Sequence, residues 1–70
     1  MGNPMVTAKE TASIMRRLGI STSTSKIVDG IESGAYPFGR IVRVGKSGRR
    51  TTEIFRKDLY DFLRGKGIDV

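Results

Sequence analysis

Seventy residues with no cysteine or histidine, 37% hydrophobic and 29% charged, are enough for one small domain, and its formal net charge is +6. The composition removes disulfides, thiolate nucleophiles, imidazole bases and the usual zinc ligands, so catalysis is not expected, nor a metal or other cofactor. No apolar run approaches the ~18 residues that cross a bilayer, and Met1 to Val6 lacks the parts of a signal peptide, so the cytoplasm is the expected location and no membrane partner is expected.

Residues 1–6 read as a flexible N-terminus. Thr7-Ala-Lys-Glu10 fits a capping box, in which the Thr7 hydroxyl accepts from the Glu10 backbone N–H and the Glu10 carboxylate accepts from that of Thr7. Ala8, Thr11, Ala12, Ile14, Met15 and Leu18 then recur at spacings of three and four, which predicts a helix over about 8 to 18. Arg16 and Arg17 fall in its last turn, where cations suit the helix dipole, and Gly19 can close it.

Ser21-Thr-Ser-Thr-Ser25 is a run of hydroxyls that competes for backbone hydrogen bonds, so it predicts a turn feeding a second helix from near Ser23. Ile27, Val28 and Ile31 form its apolar stripe, and Ser33-Gly34 ends it. Gly30 inside this helix costs up to ~1 kcal/mol against Ala unless close packing requires it. Two short helices joined through a glycine make a helix-turn-helix.

Tyr36-Pro-Phe-Gly39 is a connector whose two rings can cover the open end of the core; that role fits them better than stacking on bases. Ile41 to Val44 and Thr51 to Phe55 are rich in β-branched residues and flank Gly45-Lys-Ser-Gly48, which predicts a β-hairpin with both glycines at positive φ. Val42 and Val44 are expected to face inward opposite Ile54, with Arg43 on the other face. Leu59, Phe62 and Leu63 define a third helix with Asp58 in its first turn and Gly65 at its end, and residues 65–70 read as a flexible C-terminus. The predicted fold is therefore a small α+β domain, mainly α, over residues 7–64, in the order helix, helix, hairpin, helix.

The charge is concentrated in one stretch. Between Arg40 and Lys57 stand Arg40, Arg43, Lys46, Arg49, Arg50, Arg56 and Lys57 against Glu53 alone, so this stretch carries a net charge equal to that of the whole chain. A local field of this kind points to nucleic acid, because each neutralised phosphate releases counterions. Candidate contacts on the hairpin are Arg43, Lys46, Ser47, Arg49 and Arg50. At the start of the second helix they are Thr22, Ser23, Thr24, Ser25 and Lys26, where hydroxyls and backbone N–H groups can donate to phosphates and base edges, although the same run also serves as cap and linker. Arg16 and Arg17 read as surface and dipole partners.

Thr7-Ala-Lys-Glu10-Thr-Ala12, Leu18-Gly-Ile-Ser21, Ser33-Gly34, Val42-Arg-Val-Gly45 and Glu53-Ile-Phe-Arg-Lys-Asp58-Leu59, taken in that order, resemble the winged helix-turn-helix domain of phage and transposon excisionases and the related MerR-type DNA-binding domains. Phe55 departs from the pattern, standing where a Ser or Pro cap is usual. The resemblance implies that the second helix enters the major groove of double-stranded DNA and that the hairpin is a wing on the backbone or minor groove. It implies an excisionase, a recombination directionality factor that bends attachment-site DNA with further copies of itself on adjacent sites and helps an integrase or other recombinase excise a mobile element. Two alternatives stand beside it: a small transcriptional regulator of a phage or mobile-element operon, and an adaptor that docks its basic hairpin on an acidic protein without touching DNA.

Overall fold

The computed structural model describes residues 4–46 and 48–70. Their order is β1 (Met5–Val6), α1 (Ala8–Arg17), α2 (Thr24–Glu32), β2 (Gly39–Val44), β3 (Arg49–Phe55) and α3 (Arg56–Gly65), a mixed α+β arrangement. The three strands form one antiparallel sheet in the order β1-β3-β2. No helix among the described residues is long and apolar enough to cross a membrane.

Helix α1 begins as its capping box requires. Glu10 N–H donates to Thr7 Oγ1 at 3.0 Å, and Thr7 N–H donates to Glu10 Oε1 at 3.2 Å. Thr11 is fully buried, which its hydroxyl tolerates by donating to Thr7 O at 2.9 Å. Ser23 caps α2, its Oγ accepting from Lys26 N–H at 3.3 Å. Helix α3 starts at Arg56, which puts Asp58 in its first turn, and ends at Gly65. Its N-cap is Phe55, which supplies no side-chain bond; Arg56 N–H instead donates to Pro4 O at 2.8 Å, so the N-terminal strand does part of the capping.

The core gathers Ala8, Ala12 and Met15 from α1, Ile27 and Ile31 from α2, Phe38, Ile54, Leu59 and Leu63, with Val6 beneath them. Phe38 stacks on Tyr36 at 5.2 Å between ring centroids and meets Phe62 edge-on at 5.2 Å, so the connector rings close one end of the core as lids. Gly30 is where α2 and Tyr36 come together. A β-carbon there would lie 2.3 Å from Tyr36 Cδ2, so the glycine is required by close approach.

Three features differ from the sequence reading. Met5–Val6, assigned to a flexible terminus, forms β1, with Val6 paired to Ile54 and buried. In the segment 65–70, Ile68 and Val70 pack against the core, and Ile68 N–H donates back to Leu63 O at 3.0 Å across Gly67. The hairpin faces are the reverse of those expected. β2 pairs with β3 so that Gly39 lies opposite Ile54 and Ile41 opposite Thr52, and Ile41 packs on the core while Val42 and Val44 point outward. The reason is Gly39: with no side chain it admits Ile54 Cγ1 and Ile31 Cδ1 within 2.9 and 3.1 Å of where its β-carbon would be. That sets the strand's parity, and a shift of one residue in parity exchanges every side chain between faces.

Candidate nucleic-acid interface

The consequence of that parity falls on charge. Arg43 and Arg50 are directly opposed in the ladder and share the face that looks toward α2. Two cations opposed in this way repel each other. The exposed side of α2 resolves the conflict: Arg43 Nη2 donates to Glu32 Oε1 at 2.6 Å, Arg50 Nη1 donates to Glu32 Oε2 at 2.5 Å, and Asp29 lies 3.6 Å from the same Arg50 nitrogen. Arg43 Nη1 also donates to Gly48 O at 3.2 Å, so one guanidinium ties the hairpin tip to the helix. The hydrogen bond from Arg50 to Glu32, and then the charge of Glu32, hold the Arg50 guanidinium above its ordinary pKa.

Elsewhere in the stretch, Arg40 pairs across the strands with Glu53 at 2.6 Å, and Lys57 pairs with Asp61 on α3 at 2.7 Å. The positive field implied by composition is therefore partly cancelled within the fold. Of the candidate contact cations, Lys26, Lys46 and Arg49 have no carboxylate partner among the described residues, as is also true of Lys9, Arg16, Arg17 and Lys66 outside the candidate set. Lys46 is exposed at the turn, where Gly45 and Gly48 both adopt positive φ as predicted, and Arg49 sits exposed on the outer face of the sheet opposite Val44.

At α2 the first turn carries no acidic residue, so the partial positive charge of the helix start is not offset. Thr24, Ser25 and Lys26 are exposed there. The Ser23 hydroxyl oxygen is engaged in the cap, and the Thr22 hydroxyl oxygen is buried without a hydrogen-bond partner. Ser47, also a candidate, lies outside the described residues. The structure thus leaves Thr24, Ser25 and Lys26 exposed at the start of α2, fastens Arg43 and Arg50 to Asp29 and Glu32 toward its other end, and carries Lys46 and Arg49 on the hairpin.

Sequence reasoning missed Glu32 and Asp29. Their spacing of three on the polar side of α2 marked them as neighbours, but nothing local showed that the hairpin arginines would reach them. No protein-family model, curated protein or solved structure matches this chain.

Proposed function

We propose that the protein binds double-stranded DNA as a winged helix-turn-helix module, with α1 and α2 as the helix pair and the β2–β3 hairpin as the wing. The observation that carries this reading is the apolar packing of the cation-tipped hairpin on α2, where Ile31 Cδ1 lies 3.1 Å from where a β-carbon of Gly39 would be. That packing keeps the hydroxyl-lined, acid-free start of α2 and a hairpin whose tip bears Lys46 and Arg49 on one small scaffold, which suits a helix entering a groove with a flanking arm on the backbone. In this arrangement Thr24, Ser25 and Lys26 approach the groove and Lys46 and Arg49 approach phosphates. The finer step, an excisionase that bends attachment-site DNA beside an integrase, rests on the sequence resemblance alone.

Fluorescence anisotropy of a random-sequence duplex, titrated from low to physiological salt with single-stranded DNA in parallel, tests the reading. The expected result is preference for duplex and a log K that falls with log salt by ~0.9 per phosphate neutralised. Lys26→Glu combined with Arg49→Glu is expected to eliminate binding while leaving the fold intact, since both side chains are exposed and neither has a carboxylate partner among the described residues. Absence of duplex binding by the native chain, even at low salt, would overturn the proposal and favour an acidic protein as partner.

A further inference from the structure

If α2 and the hairpin form a DNA-binding surface, its best-formed anion site is already filled from within. Glu32 offers one carboxylate oxygen to each of two guanidiniums, at 2.6 and 2.5 Å, which is the arrangement in which Arg residues take up phosphate. With Asp29 beside Arg50, two anions face two cations and the patch is electrically neutral. Resting on the DNA-binding reading, we propose that Glu32 is an internal stand-in for phosphate that competes with the DNA backbone for Arg43 and Arg50.

The side chains of Arg43 and Arg50 are 58% and 41% exposed and that of Glu32 is 37% exposed, so the bridge is open to solvent and to an incoming backbone. Exposed ion pairs of this kind are weak enough to be exchanged for another anion. The trade differs between kinds of DNA. On random sequence, a phosphate reaching the patch must displace Glu32 and leave that carboxylate beside the backbone, so the arginines contribute little. On a duplex that α2 fits closely, the contacts made at the groove hold the backbone against the hairpin and the exchange becomes favourable. Glu32 would therefore lower affinity for DNA in general and widen the gap between a matching site and the rest, a form of specificity obtained by repulsion.

The test is the salt dependence of random-duplex binding by the native chain, by Glu32→Gln, and by a triple variant carrying Glu32→Gln, Arg43→Gln and Arg50→Gln. All the altered groups are on the surface, and far-ultraviolet circular dichroism is expected to be the same for the three proteins. Glu32→Gln is expected to bind random duplex more tightly and to steepen the slope of log K against log salt by up to ~1.8, two phosphates at ~0.9 each, which widens the ratio of affinities at 50 and 200 mM salt by about tenfold. The triple variant is expected to return to the native slope. Parallel salt lines for the native chain and Glu32→Gln, or weaker binding by Glu32→Gln, would overturn the inference and leave the DNA-binding reading in place. A steep slope retained by the triple variant would also overturn it, because the gain would then come from cations other than Arg43 and Arg50. Failure of the native chain itself to bind duplex would overturn the reading on which the inference rests.

Discussion

Gly30 shows how a residue unfavourable to its own helix can be required by its neighbours. Alanine there would favour the helical backbone by up to ~1 kcal/mol. Its β-carbon would also fall 2.3 and 2.5 Å from Tyr36 Cδ2 and Cε2, a distance no real contact tolerates, so the ring must move. Tyr36 is held by its stack on Phe38, by an edge contact with Phe62 at 6.0 Å, and by its own N–H donating to Gly30 O at 3.0 Å. Gly30→Ala is therefore expected to destabilise the fold by ~1–3 kcal/mol, the usual cost of overpacking, read as a lower urea midpoint. Tyr36→Ala in the same chain should remove most of the additional cost of Gly30→Ala; a midpoint for Gly30→Ala equal to or above that of the native chain would refute the argument.

At the scale of elements, α3 presents a second charge cluster, and it makes stability depend on pH. Asp61 accepts from Lys57 Nζ at 2.7 Å and from Arg64 Nη1 at 3.2 Å. The hydrogen bond from Lys57, opposed by some desolvation and aided by the charges of Lys57 and Arg64, holds the Asp61 carboxyl below its ordinary pKa. A carboxyl whose pKa is lower in the folded than in the unfolded chain stabilises the fold above the unfolded value of ~3.9 and loses that contribution as pH falls through the lowered value. Denaturation measured from pH 6 down to pH 2 should accordingly show a smaller acid-dependent loss for Asp61→Asn than for the native chain, and identical profiles would count against the pairing. The elements that sequence made legible are those specified locally: the capping box of α1, the hydroxyl cap of α2, the paired glycines of the turn. What it hid was decided at a distance. Ile41, Val42 and Val44 put apolar residues on both faces of β2, so alternation alone could not choose a parity, and the choice came from Ile54 and Ile31 closing on Gly39. Two residues of β1 give no periodicity at all. The bridge from Glu32 to Arg43 and Arg50 joins α2 to both hairpin strands, and of the candidate site only the exposed cations and hydroxyls could be read without it.

For the molecule as a whole, the sheet order β1-β3-β2 has a consequence in time. The hairpin partners β2 and β3 are neighbours in sequence, but β1 pairs with the far end of β3, Val6 lying opposite Ile54 roughly fifty residues away, and ring closure over that length carries an entropic cost that short-range pairing avoids. β1, made before the other two strands of this sheet, is thus the last of them that can find its place, and the start of α3, which borrows the carbonyl of Pro4 for its first turn, waits with it. Pulse-labelled hydrogen exchange during refolding should find the β2–β3 ladder protected before Met5, Val6 and Arg56; simultaneous protection would mean that β1 and the junction of β3 with α3 meet in the transition state itself.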